Sequence, residues 1–195
     1  MVSNTCKIKK GINALYEILN ESERVAVYGE LNKKQTLQLR LICEETYGML
    51  PNIIDEFSGN FWIECEKGEY KVNVQINIPE LTTEKKENLI KVSTSKKNAF
   101  AVGIVGKIRS AIENLFLDKQ YLDSCDMALF NECADYSVGV VPVYSWSLNS
   151  YRNVVTEENV EDWDELEKSI IANLADDVIV GVKGKQASIV VVKKF

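Results

Sequence analysis

The amino-acid sequence predicts an α+β fold, a two-layer sandwich in which helices cover one face of a mostly antiparallel sheet. Between Leu37 and Ile54, apolar residues recur at helical spacing. From Asn60 to Glu66 and again from Tyr70 to Ile78, apolar and polar residues alternate, as they do in strands with one buried face. Because only one face of this hairpin is apolar, the helices should pack on that face.

Length and composition suit one globular domain. The chain has 195 residues, of which 46% are apolar and 27% charged, and we assign residues 1–195 to a single domain. The net charge of −6 argues against a nucleic-acid partner, although a total does not exclude a local basic patch. No run approaches the roughly 18 apolar residues of a membrane span, and the N-terminal stretch lacks a signal-peptide pattern. We therefore expect a cytoplasmic protein with no membrane span and no nucleic acid.

Cysteine and histidine usage restricts the chemistry further. There are five cysteines, without a CxxC pair, and no histidine. Reduced thiols, several of them buried, are the expected state, and no metal site is expected from these residues. The absence of histidine removes Ser-His-Asp and Cys-His nucleophile systems and the commonest general base. Acid–base chemistry would have to come from carboxylates, lysine, tyrosine or cysteine.

Two helices are predicted before the first hairpin. The first covers residues 7–29, with Ile8 and Ile12 on its apolar side and Gly29 as its C-terminal stop. Asn32 is a suitable N-cap for the second helix, because its side chain can accept hydrogen bonds from the first free backbone amides.

Proline and glycine mark the next two boundaries. Pro51 lies inside the pattern of the second helix, so we expect a kink or break near Leu50 and a last turn or short helix over residues 52–57. The turn between the two strands, residues 66–69, contains the glycine that a tight hairpin needs.

After the first hairpin the pattern is less regular. Phe100 to Phe116 reads as an apolar helix, and residues 121–136 as another. Residues 137–146 read as a strand interrupted by Pro142, which places that strand at a sheet edge or in a bend.

The C-terminal part begins with an acidic segment. Residues 157–177 hold nine acids and one base, and predict a helix from near Val160 that buries Ile170, Ile171 and Leu174. The chain then ends in a second hairpin, VIVGV, KGK and QASIVVVKKF. The acidic residues 157–167 form either a solvated face or a docking surface for a basic protein partner.

Two stretches suggest a family. The second helix carries the pair Glu44-Glu45 between an N-terminal helix and a hairpin, and the chain closes with LADDVIVGVKGKQASIVVVKKF. Both resemble the histidine-kinase-like (GHKL) ATPase superfamily, and most of all its anti-sigma-factor serine kinases. The resemblance covers about residues 7–80 and 160–195, and makes 81–155 an insertion where the family carries its ATP lid. It implies a histidine-kinase ATPase-like sandwich with ATP and Mg as possible cofactors.

The resemblance also implies residue roles. Glu45 would be the general base that activates water or a substrate serine. In the family an asparagine four residues later holds magnesium, but this chain has Met49 there. Asn52, seven residues after Glu45, returns to the same helix face and could replace that ligand. Asn77 occupies about the position of the residue that reads the adenine amino group.

A phosphate-binding segment has two candidate positions. The family's glycine-rich box would fall on NVEDWDEL, residues 159–166, which has no glycine and whose acids would repel a triphosphate. The alternative is Lys97 followed by Gly103 and Gly106 at the start of an apolar helix, a setting that favours anions. Close packing of that helix is the other interpretation of the two glycines.

Three functional hypotheses follow. The one we favour is a regulatory protein of this fold that has lost phosphotransfer and acts by protein–protein interaction, with a homodimer as one option. The second is an active ATP-binding serine kinase or ATPase whose rewired site uses Glu45, Asn52 and Lys97. The third is a structural or assembly module without nucleotide. Met49 weighs against the second, and fold alone does not separate the first from the third.

Overall fold

The chain folds into helices and a six-stranded antiparallel sheet, which confirms the α+β class. The computed structural model describes residues 1–54, 56–77, 103–123, 145–154, 169–183 and 185–195. The elements follow in chain order: β1 (Cys6–Lys9), α1 (Leu15–Tyr28), α2 (Lys33–Ile53), β2 (Ser58–Glu66), β3 (Glu69–Asn77), α3 (Gly103–Asp123), β4 (Ser145–Ser147), α4 (Leu148–Val154), α5 (Ile170–Leu174), β5 (Asp177–Lys183) and β6 (Gln186–Lys194).

The sheet has a core face and an open face. Its strand order is β1-β2-β3-β6-β5-β4, and every pair is antiparallel. Alternate side chains are buried, including Ile63, Val74 and Ile189, and the helices α1, α2 and α3 pack on this core face. We call the side chains that alternate with them, such as Trp62 and Asn73, the open face.

Local turn chemistry explains the first hairpin. Lys67 and Gly68 have φ of 50° and 81°, and Glu66 pairs with Glu69. Two successive residues with positive φ form the turn whose twist matches that of the flanking strands. Both predicted hairpins are therefore confirmed, with the second formed by β5 and β6.

The helix α2 begins as predicted but does not break at Pro51. The Asn32 side chain accepts hydrogen bonds from Lys34 and Gln35, and Gln35 bonds back to the Asn32 amide. The helix continues through Pro51 to Ile53, so residues 52–53 belong to its last turn, one of the two alternatives predicted. The other alternative, a break near Leu50 followed by a separate short helix, was wrong. A proline in the last turn removes only one helical hydrogen bond, which burial of the neighbouring side chains offsets.

The predicted first helix starts too early in the sequence. Residues 6–9 form β1, which pairs with residues 58–61, and α1 starts at Leu15. Cys6 and Ile8 alternate with lysines, a period of two that a helical interpretation of this short stretch overlooks. Ile12, expected on the apolar side, is exposed, whereas Gly29 caps the helix as predicted.

In α2 and in α5, one apolar residue of the helical pattern lies outside the buried face. Leu37, the first residue of the pattern in α2, is exposed, whereas Leu39 is buried. In α5, Ile170 is 42% exposed, whereas Ile171 is 2% exposed. Ile171 was predicted to be buried and is, so the error in α5 is confined to Ile170. An apolar residue beside the buried face fits a helical pattern almost equally well.

The segment 81–155 contributes described elements to the core. Its helix α3 packs on β5 and α2, and β4 pairs with β5 at an edge of the described sheet. The strand β4 overlaps the last two residues of the predicted strand 137–146, whose other residues, including Pro142, lie outside the described residues. Most of the predicted helix 121–136, and the predicted start of the acidic helix near Val160, lie outside the described residues. None of the described helices is long and apolar enough to cross a bilayer.

Candidate functional site

The flank of α2 that carries Glu45 faces away from α1. Arg40 Nη1 donates a hydrogen bond to Glu23 Oε1 on α1, which fixes the side of α2 that borders α1. At 3.6 residues per turn, Glu45 and Asn52 lie about 120–140° further round the helix. The helix α2 also packs against α3 and α5. Glu45 is half-buried, and Asn52 is exposed.

Met49 is not placed as a metal ligand beside Glu45 would be. Its side chain is 5% exposed and belongs to the hydrophobic core, together with Leu50 and Ile53. A thioether in that position is a weak acceptor and offers nothing to magnesium, which prefers oxygen ligands. The position four residues after Glu45 therefore faces apolar side chains.

Thr46, next to Glu45, is a polar residue in the hydrophobic core. Its side chain is fully buried, and its Oγ1 is the one buried side-chain polar atom among the described residues without a hydrogen-bond partner. A desolvated hydroxyl without a partner is unfavourable for folding. No motif in the sequence marked this residue.

Asn77 lies on the other face of the sheet. It follows Ile76, which points into the core, so its own side chain belongs to the open face. Its Oδ1 accepts a hydrogen bond of 3.1 Å from Gln186 Nε2, and Gln186 accepts one from Gln75. The structure therefore places Asn77 and Glu45 in different layers.

The two glycines begin α3. Gly103 has φ of 72°, a conformation that favours glycine, and Gly106 is buried. One turn on, Lys107 Nζ lies 5.0 Å from the centre of the Tyr151 ring, a cation–π distance. Because α3 packs against α2, the helix N-terminus and Glu45 belong to the same layer. Lys97 lies outside the described residues.

The described thiols are not poised for chemistry. Cys6, Cys43 and Cys65 are buried and free, so no disulfide joins them. Burial raises the pKa of both the Cys6 and the Cys43 thiol, which keeps them protonated and unreactive. Within the described part of the chain, no cluster of cysteine and carboxylate side chains could hold a metal ion.

The outer surface of α1 and α2 carries exposed apolar side chains. Tyr16 is 76% and Val27 is 78% exposed, and Tyr28 and Leu37 are also exposed. Val27 and Tyr28 line a shallow depression that also includes Glu23. Apolar and aromatic side chains beside ion pairs are the composition of protein–protein contact surfaces.

Comparison with known protein families, with curated proteins and with solved structures finds no match to this chain.

Proposed function

We propose that this chain is a regulatory protein with a histidine-kinase-like ATPase fold that has lost phosphotransfer and acts by binding another protein. The order of elements supports this fold: two helices, a hairpin, an intervening segment, a short helix and a final hairpin. Helices on the core face and an antiparallel sheet suit the two-layer sandwich of that class.

The burial of Met49 is the observation that carries the loss of catalysis. Transfer of phosphate depends on a metal that neutralises the charge developing in the transition state. The resemblance places the magnesium ligand at Met49, where this chain has an apolar side chain enclosed in the core. Glu45 could still accept a proton, but it would act without a metal beside it.

The surface of α1 supports a protein partner. Val27, Tyr28 and Tyr16 expose large apolar areas, and tyrosine is among the residues enriched in binding hot spots. The neighbouring Glu23–Arg40 and Glu21–Arg24 ion pairs supply a polar border.

A thermal melt with and without millimolar ATP and magnesium tests the loss of the nucleotide site. We expect no change in midpoint for the parent chain or for Glu45→Ala. Ligand at a hundred times its dissociation constant would add about 2.7 kcal/mol to the free energy of unfolding. A clear rise in midpoint that Glu45→Ala removes would contradict the proposal and support the enzyme hypothesis.

The protein-binding surface is tested by two variants that each add one negative charge. Val27→Asp lies in the exposed apolar surface of α1, and Gln75→Glu lies on the open face of the sheet. We expect a protein that co-purifies with the tagged parent to be retained by Gln75→Glu and lost from Val27→Asp. Equal retention by both variants would place the contact elsewhere.

A further inference from the structure

The open face of the sheet has a central row with one aromatic ring. Strand register aligns Trp62, Asn73, Val190 and Ile179 across four neighbouring strands. Trp62 is half-buried, and its Nε1 donates a hydrogen bond of 2.7 Å to Glu64 Oε1, which fixes the indole orientation. A Trp held on a sheet face offers a flat apolar platform of low conformational entropy.

Asn73, directly beside Trp62, is an unusual residue for this place. It is 7% exposed, although it points away from the core. Its Nδ2 donates to the Lys71 carbonyl oxygen at 3.1 Å, and its Oδ1 accepts no hydrogen bond from another described residue. An amide with remaining hydrogen-bonding capacity next to an aromatic ring can bind a planar polar ring from above.

The next two rows of the open face consist mainly of amides and lysines. The first row aligns Lys7, Asn60, Gln75 and Ser188. The second row aligns Lys9, Ser58, Asn77, Gln186 and Lys183. Lys7 Nζ already bonds Asn60 Oδ1 at 2.8 Å, so at least one lysine lies along the face.

These three rows contain no acid, although the chain has 29 acidic residues and a net charge of −6. The lysines lie at both sides of the sheet, with Lys9 on β1 and Lys183 on β5. Four strand spacings separate them, about 19 Å. Acids return in the row on the other side of Trp62, which holds Glu64 and Asp177. Charge on the open face is therefore segregated.

The net charge of −6 argued against a nucleic-acid partner for the chain as a whole, but the three rows carry lysines and no acid. Against that expectation, we propose that this part of the open face binds single-stranded nucleic acid. A base stacks on Trp62, side-chain amides such as Asn73 and Gln75 bond its edges, and phosphates lie against the lysines at the sides. Aromatic stacking combined with a positively charged border is the general chemistry of single-strand binding on sheets. Because the three rows carry lysines and no acids, their charge is complementary to the negative phosphates of such a ligand. The proposal is independent of the nucleotide site on α2.

Fluorescence anisotropy of the full chain with fluorescein-labelled U8 RNA and dT8 DNA tests the proposal. Three lysine–phosphate contacts predict a slope of log affinity against log salt of about −2. Affinity should therefore fall about fifteen-fold between 50 and 200 mM salt. A duplex of the same length should bind at least ten-fold more weakly, because its bases cannot reach Trp62.

Four variants assign the contacts. Trp62→Ala should lower affinity about ten-fold, and Trp62→Phe should restore most of it. Lys183→Gln should make the salt slope shallower by about 0.7. Lys194→Gln, on the acid-containing end of the open face, should leave affinity and slope unchanged. Circular dichroism melts check that each variant remains folded.

Three results would overturn the proposal. The first is no binding of either oligonucleotide at 50 mM salt and 100 µM protein. The second is an equal loss of affinity in Lys183→Gln and Lys194→Gln, which would indicate a non-specific charge effect. The third is the absence of a role for base stacking, seen either as unchanged affinity in a folded Trp62→Ala or as equal affinity for inorganic polyphosphate, which has no bases.

Discussion

At Gly59 the backbone of β2 passes so close to β3 that no side chain fits. A methyl group built on Gly59 would lie 2.0 Å from the carbonyl oxygen of Gln75. That oxygen is part of the backbone and cannot turn away as a flexible side chain could. The site therefore requires glycine for space rather than for backbone conformation.

We expect Gly59→Ala to lower the free energy of unfolding by about 1–3 kcal/mol, because the two strands must move apart. Gly48→Ala is the matched control. Nothing lies within 4 Å of the added methyl group there, and alanine should stabilise the helix by about 0.5–1 kcal/mol. Urea unfolding of both variants measures the difference, and a change of the same sign in both would contradict the geometry.

Thr46 gives a second test at the scale of one residue. Thr46→Val replaces the unpartnered hydroxyl by a methyl group of similar size and should raise the free energy of unfolding by about 1 kcal/mol. Thr46→Ser keeps the hydroxyl, loses a methyl group and should destabilise the chain. A loss of stability in Thr46→Val would show instead that a bound water or ligand bonds the hydroxyl.

Among the elements, α5 shows how a local pattern can assign one residue too many to the buried face. Its five residues contain two adjacent isoleucines, and the Ser169 side chain caps the helix by accepting a hydrogen bond from Ala172. Either isoleucine fits an apolar stripe in so short a helix. Packing against α2 determines which of them is buried.

Ile171→Asp should unfold the chain or lower its melting midpoint strongly, because it places a charge among core side chains. Ile170→Asp, one position earlier, should melt close to the parent because Ile170 is largely in solvent. Thermal melts followed by circular dichroism compare the two. If Ile170→Asp proves the more damaging, the orientation of α5 is wrong.

The length and regularity of each element explain how well the sequence predicted it. The first hairpin was recovered because strict alternation and a glycine turn have one structural solution. Residues 6–9 were missed because four residues are too few to distinguish a period of two from the start of a helix. For the candidate nucleotide site, the sequence placed Glu45 and Asn52 on one flank of α2. The alternation from Tyr70 to Ile78 already puts Asn77 on the polar face, away from the helices, and only the family resemblance placed it with Glu45.

For the whole molecule, two carboxylates link distant segments and make stability depend on pH. Burial acts to raise the pKa of Glu21, but hydrogen bonds from Asn4 and Arg24 outweigh it and leave the pKa below its ordinary value. Hydrogen bonds from Lys71 and Lys194 lower the pKa of Glu69. A carboxyl with a depressed folded-state pKa stabilises the fold above its unfolded pKa.

The free energy of unfolding should therefore decline as pH falls below about 5 and through the folded-state pKa values of these two groups. The double variant E21Q/E69Q should be less stable than the parent at pH 7 and show a shallower decline. Urea unfolding between pH 7 and pH 3 measures both slopes. Parallel slopes would mean that other carboxyl groups control acid stability.

The sequence by itself determined the helix α2 and the two hairpins, because the spacing of apolar residues within a dozen positions depends only on local backbone geometry. It also determined the cap at Asn32 and the absence of histidine chemistry. Only the tertiary structure decided that Met49 is enclosed in the core, and that Lys7, Lys9 and Lys183 share one face free of acids. Strand order and register join residues more than 170 positions apart, and no local periodicity contains that information.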